Sequence, residues 1–182
     1  FKKIDFSLVL KKITENHAYR VRDAFMQAEN TYVRIDQKKY INFCSNNYLD
    51  LAGHPAIKKA LVQSLDLFDV GSGASSYVSG YTRLHQQLEE KIADFLGRPK
   101  ALCFSSGYLA NVGILQALMS SRDIIFQDKL NHASLIDGAL LSGAKLSRFP
   151  HKSYEALSQL LLQSSGNQQG LIVSDGVFSM EG

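Results

Sequence analysis

Three short runs in this chain combine residue types that could hold or process a small charged ligand. Ser105-Ser106-Gly107-Tyr108 stands where an apolar, strand-like run passes into a helix-like one. Backbone N–H groups at a helix N-terminus attract anions, and glycine lets an anion approach the backbone, so a phosphate group suits this run. A plain turn with a serine cap is the commoner use of such a sequence. Asn131-His132-Ala133-Ser134 marks the same kind of junction further along. An imidazole there could stack on a flat heteroaromatic ring or exchange protons near neutral pH. A capping histidine with Asn131 as cap is the alternative, and the residues alone do not separate the two. Ser174-Asp175-Gly176-Val177-Phe178-Ser179-Met180 follows the last apolar run, where a carboxylate and a hydroxyl could hold polar ligand atoms. Asp-Gly is also an ordinary tight turn, and taken alone that use prevails. His17, His54, His85 and His151 have less context and are read as structural or surface residues.

These runs become a site only if the elements around them bring the junctions to one edge. Ile4, Leu8 and Ile13 predict a short amphipathic N-terminal helix. Thr31–Ile35 and Tyr40–Phe43 alternate around Asp36-Gln37-Lys38-Lys39 and predict a β-hairpin. Pro55 opens a helix with Ile57, Leu61, Leu65 and Phe68 on one face. After the Gly/Ser-rich run 71–81, Thr82 caps a helix carrying Leu84, Leu88, Ile92 and Phe95 inward, and Gly97 and Pro99 end it. Strand-like and helix-like runs then alternate: 101–104, 108–119, 123–127, 132–141, 145–149, 153–163 and 170–175. Short connections between alternating strands and helices imply an α/β fold, a mostly parallel sheet covered on both faces by helices. In such sheets ligands collect outside the carboxyl ends of the strands, where all three runs fall. The organisation expected is an N-terminal segment, 1–50, and the first part of a larger domain, 51–182.

Bulk properties narrow the function classes. The chain has 182 residues, 45% hydrophobic and 20% charged, and a net charge of +3, the balance of a globular protein. Its cations are scattered apart from pairs such as Lys11-Lys12 and Lys58-Lys59, which argues against nucleic acid as a partner. No run is apolar and long enough to span a membrane, and no signal peptide opens the chain, so a cytoplasmic protein is expected. Cys44 and Cys103 lie in apolar contexts without metal-ligand spacing, which predicts buried free thiols and no metal. Neither nucleotide-binding glycine pattern is present in the right context.

Taken as an ordered set, the motifs resemble the α-oxoamine synthase family of pyridoxal-phosphate (PLP) enzymes over nearly the whole chain. SNNYLDLAGHP (45–55) is similar to the family's S-N-D-Y-L-G-L segment, and GSGASSYVSGYTRLHQQLEEKIADFLG (71–97) to its glycine-rich loop and following helix. SSGYLAN, LNHASLIDGA and SDGVFSMEG resemble its phosphate loop, ring-stacking histidine and central strand end. VSGY followed by HQQLEE looks most like the family member of biotin synthesis.

The resemblance implies a fold-type-I large domain like that of aspartate aminotransferase, pyridoxal 5'-phosphate as cofactor, and a homodimer with active sites at the interface. It implies a decarboxylating condensation of L-alanine with a pimeloyl thioester, on CoA or acyl carrier protein. Sister enzymes joining glycine to acetyl-CoA or succinyl-CoA, or serine to a fatty acyl thioester, are the alternatives, with a non-catalytic α/β module as a third. On matching positions, Ser106, Gly107 and Tyr108 would hold the cofactor phosphate, and His132 would stack on its ring and serve in catalysis. Ser179 and Asp175 would meet its polar atoms, Asn46 would bind the substrate carboxylate, and Arg20 would lie near the acyl-substrate carboxylate. Asp175 stands where relatives often carry Glu, Ser76 where they commonly carry Arg, and Asp50 where they carry Gly. The family's aspartate for the pyridine nitrogen and its Schiff-base lysine lie in motifs beyond Gly182. The chain is therefore expected to be a part of a longer enzyme, with an unfinished sheet and no activity by itself.

Overall fold

The computed structural model describes residues 5–22, 24, 28–29, 31–164, 166 and 168–182. The chain divides into two compact units, Phe1–Gly71 and Ser72–Gly182. The boundary expected at 50–51 falls inside the first of them.

In the first unit, helix α1 (Phe6–Glu15) begins at Asp5, whose carboxylate accepts from Ser7 N at 3.0 Å. Ile4, part of the face predicted for it, lies outside the described residues. Strands β1 (Ala28–Glu29), β2 (Tyr32–Ile35) and β3 (Lys38–Ile41) form an antiparallel sheet in that order. The predicted hairpin is present, but its turn is two residues long, not four. Ile35 pairs with Lys38, and Asp36 (φ 47°) and Gln37 (φ 65°) are both left-handed. Two such residues match the twist of the flanking strands, which draws Lys38 and Lys39 into β3. Lys39 then lies 4.0 Å from the centre of the Tyr32 ring. Asp50, where a glycine was the family's choice, does adopt a positive φ of 51°, with its carboxylate accepting from Asn47 Nδ2 at 3.0 Å. Helix α2 (Pro55–Leu65) is capped by His54, whose Nδ1 accepts from Ala56 N at 3.2 Å. Phe68 falls beyond its end.

The second unit opens with a π-helical turn, Ser76–Gly80, and helix α3 (Arg83–Phe95). Thr82 and His85 close the start of α3 together, His85 Nδ1 accepting from Thr82 N at 3.2 Å. The apolar face of α3 was expected inward; instead Leu88 and Phe95 are exposed, and Ala93 is its buried residue. Residues 101–104 were expected as a strand and form none. The Cys103 amide donates to Glu89 Oε1 at 2.8 Å, a side-chain partner in place of a ladder. Both cysteines are exposed, contrary to the burial expected from their apolar neighbours.

From there the alternation holds: α4 (Gly107–Leu118), β4 (Ile124–Asp128), α5 (Ala133–Ser142), β5 (Lys145–Phe149), α6 (Tyr154–Gln163) and β6 (Gly170–Val173). The strands form a parallel sheet in the order β5-β4-β6. Central β4 is buried at every position, as a parallel strand covered on both faces should be. Its alternating side chains build two cores. Ile125 packs with Leu115 of α4, with Met119 just past its end, and with Leu135 and Ala139 of α5. Ile124 and Phe126 pack with Phe149 and with Leu157 and Leu160 of α6. Helices therefore cover both faces, as the sequence predicted.

Helices α4 and α5 pack closely at Gly138, where a Cβ would stand 3.0 Å from Val112 Cα and 3.1 Å from Asn111 O. Backbone atoms cannot move aside as a side-chain end can. Gly138→Ala is expected to destabilise the full-length protein by about 1–2 kcal/mol, an overpacking cost only partly offset by alanine's helix propensity. Denaturant titration of parent and variant checks this; an unchanged or raised midpoint would contradict the close packing.

Candidate functional site

Because β4, β5 and β6 are parallel, the segments after Asp128, Phe149 and Val173 emerge at one edge of the sheet. There a cleft of about 490 Å³ is lined by Gly107, Tyr108, His132, Asp175 and Ser179, with Asn111 and Ser134 also on its wall. Five of the predicted site residues thus share one cavity. Ser106 is the N-cap of α4, its hydroxyl accepting from Leu109 N at 3.2 Å. Arg20 and Asn46 belong to the first unit, in irregular segments, and both are exposed.

The α4 wall is an anion-type surface. Gly107 and Tyr108 are the first two residues of the helix, so their amides have no intrahelical acceptor. A Cβ added at Gly107 would meet nothing within 4 Å, so the backbone there faces open space. The Tyr108 hydroxyl donates to Asp137 Oδ2 at 2.7 Å, which anchors its ring to α5. That hydrogen bond, with burial added to it, holds the phenol above its ordinary value of 10.0.

The opposite wall is tied together through backbone. His132 caps α5, its Nδ1 accepting from Ser134 N at 3.2 Å. This is the capping geometry that the sequence left open, except that His132 and not Asn131 is the cap. Asp175 accepts from the His132 amide at 2.6 Å. Asn131, 5% exposed, reaches across to β6: Nδ2 donates to Val173 O at 2.8 Å and Oδ1 accepts from Asp175 N at 3.0 Å. One side-chain amide therefore acts as an extra rung that locks the two loops carrying His132 and Asp175. Gln127 Nε2 adds a bond to Leu135 O at 2.7 Å, holding the first turn of α5 on β4.

Sequence reasoning missed a third group. Asp128 is 4% exposed and accepts from Leu130 N at 2.8 Å, and its Oδ2 lies 2.9 Å from His151 Nδ1. The His151 ring meets Phe178, next to Ser179, edge-on at 4.5 Å between centroids. This pair supports both loops from behind. Burial pushes the Asp128 carboxyl up, but the Leu130 amide, His151 and the Lys152 amide outweigh it and hold it below its ordinary 3.8. A carboxyl depressed in the folded state adds stability that is full above its unfolded pKa and disappears as pH falls through the folded value. Acid unfolding below about pH 4 should accordingly be shallower in Asp128→Asn, relative to neutral pH, than in the parent. Denaturation midpoints measured from pH 6 down to pH 3 test this, and parallel profiles would contradict it.

The aminotransferase class I and II family model matches residues 38–182, which include every element of the sheet and the cleft. The chain belongs to the class I and II aminotransferase family. Among curated members, it is 47% identical over 178 residues to the 8-amino-7-oxononanoate synthase of Methylococcus capsulatus, covering 98% of this chain and 46% of that protein. It is 50% identical over 177 residues to the enzyme of the same name from Citrifermentans bemidjiense, covering 97% and 45%. Among solved structures of this family's fold, Sphingomonas wittichii serine palmitoyltransferase superimposes with a TM-score of 0.85 at 30% identity, covering 97% of this chain and 45% of that one. The 8-amino-7-oxononanoate synthase of Francisella tularensis gives a TM-score of 0.62 at 40% identity, covering 76% and 37%. The chain spans a little under half the length of the curated relatives it matches.

Proposed function

We propose that the full-length protein is an 8-amino-7-oxononanoate synthase. It would condense L-alanine with a pimeloyl thioester, releasing CO2 and the free thiol, in a cytoplasmic homodimer whose active sites lie at the subunit interface. The observation that carries this reading is the convergence of the α4 N-terminus, His132, Asp175 and Ser179 on one cleft, in a chain about half identical to enzymes of that name.

The cleft fits pyridoxal 5'-phosphate on the chemistry of its walls. The bare backbone at Gly107, with the amides of Gly107 and Tyr108 and the Ser106 hydroxyl, suits a phosphate at a helix N-terminus. The His132 ring, held at its Nδ1 edge by the first turn of α5, suits stacking on a flat pyridine ring. Ser179 lines the cleft with a hydroxyl available to the cofactor's polar atoms. Asp175, engaged with the His132 amide, holds the backbone that carries that ring and adds a carboxylate to the wall. Bound there, the cofactor would supply the electron sink that makes an amino-acid α-carbon acidic. Arg20 and Asn46 are proposed as carboxylate partners, the guanidinium for the acyl substrate and the amide for the amino acid. Among the described residues no helix is long and apolar enough to cross a membrane.

The test supplies the full-length protein, loaded with PLP, with L-alanine, glycine or L-serine and a panel of acyl thioesters. Release of CO2 with L-alanine and a pimeloyl donor supports the proposal. Preference for glycine with a short acyl-CoA, or for serine with a fatty acyl thioester, would replace it by a sister activity. No PLP binding and no turnover with any pair would overturn it.

A further inference from the structure

Three side chains stand in line along the wall of the cleft. Asn111 Nδ2 donates to Ser134 Oγ at 2.9 Å, and Ser134 Oγ lies 2.6 Å from His132 Nδ1. The Ser134 amide donates to the same Nδ1 at 3.2 Å. The Ser134 backbone amide, which can only donate, sets the direction of the protons in the line. A ring nitrogen that accepts from a backbone N–H carries no proton itself. The Ser134 hydroxyl must then give its single proton to Nδ1, and its oxygen accepts from Asn111, whose NH2 group can only donate. Ser134 is 0% exposed, so water offers it no alternative partner. The nearby carboxylates are engaged elsewhere: Asp175 accepts from the His132 backbone amide and Asp137 from the Tyr108 hydroxyl.

We infer that Ser134, whose backbone amide and Asn111-oriented hydroxyl both donate to Nδ1, is a positioning residue that commits His132 to the neutral tautomer with its proton on Nε2. The ring then offers the cleft a hydrogen-bond donor and not an acceptor. A ligand atom that meets Nε2 must accept, as a carboxylate or carbonyl oxygen does. Nδ1, already holding two donors, is closed to any other group. The inference deepens the proposed function and rests on it only for the identity of the group facing Nε2.

The experiment uses full-length protein labelled with 15N-histidine, with and without PLP, and reads ring protonation by two-bond 1H–15N correlation. The His132 signals are assigned by their loss in His132→Gln. The parent is expected to show a protonated Nε2 and an unprotonated, hydrogen-bonded Nδ1. Asn111→Asp is almost isosteric but replaces the donating NH2 by an acceptor. The Ser134 hydroxyl should turn toward that carboxylate, so Nδ1 loses one of its two donors and its resonance should shift, while the backbone amide keeps it unprotonated. If this variant does not fold, Ser134→Ala keeps the backbone bond, removes the hydroxyl and should shift the Nδ1 resonance. A proton on Nδ1 in the parent, or an unmoved Nδ1 resonance in every variant that folds, overturns the inference. Visible absorption of bound PLP is recorded in parallel. A parent that fails to bind PLP sinks the proposed function and leaves the tautomer result standing.

Discussion

Replacing Asn131 by leucine is expected to destabilise the full-length protein by about 2–6 kcal/mol, because two backbone groups lose their partner at once. Leucine has the same number and branching of side-chain heavy atoms as asparagine and is larger, so the change removes hydrogen bonds without opening a cavity. Val173 O and Asp175 N are left facing an apolar side chain at a position only 5% exposed. Each unsatisfied buried group costs about 1–3 kcal/mol, which gives the range. The effect should also reach the cleft. With the rung gone, the loop after β6 is no longer registered against the start of α5, so the Asp175 bond to the His132 amide loosens. PLP affinity is expected to fall along with the unfolding midpoint, measured by visible absorption and by denaturant titration. A variant with parental stability would mean that water or a neighbouring group replaces the amide, contrary to the burial described.

What the sequence revealed and what it hid follow from the range of the interactions involved. The hairpin, the serine cap at Ser106 and the βα alternation depend on neighbours within a few residues, and they were legible. The hairpin turn was placed two residues too long because Lys38 and Lys39 look like turn residues until Ile35 claims Lys38 across the ladder. Residues 101–104 have the composition of a strand but no described ladder partner, and a strand exists only by pairing. The apolar stripe of α3 was read correctly as a stripe, but periodicity cannot say what covers it. The same limit undid the two cysteines, whose apolar neighbours in sequence are themselves exposed.

The cleft residues sit at helix starts and just past strand ends, which is why types and spacing marked them. Asn111, Asn131 and the Asp128–His151 pair act across 23 to 44 positions of sequence, so nothing local pointed to their partners. His151 could have been suspected from its place just after β5, at the same sheet edge as the other runs. Family resemblance separated the cofactor reading from the bland ones; position in the fold alone would have left a capped turn and a capping histidine.

Gly107→Asp is expected to separate stability from cofactor binding by moving them in opposite directions. A Cβ at Gly107 would meet nothing within 4 Å, so the new side chain fits without strain. It stands at the first residue of α4, where a negative charge interacts favourably with the helix dipole by about 0.3–1 kcal/mol. Leaving glycine in a helix also adds some stability. The protein without cofactor should therefore keep or slightly raise its thermal midpoint. The same carboxylate occupies the space and the amides proposed for the PLP phosphate and repels the anion. A loss of at least about 100-fold in PLP affinity is expected, close to 2.7 kcal/mol. Gly107→Ala places a neutral group in the same space and should fall between the two. Had Gly107 served only to make a turn, both substitutions would strike stability first and PLP binding in proportion. A full-length Gly107→Asp protein that binds PLP as tightly as its parent would remove the phosphate from the α4 N-terminus and, with it, the main support for the proposed site.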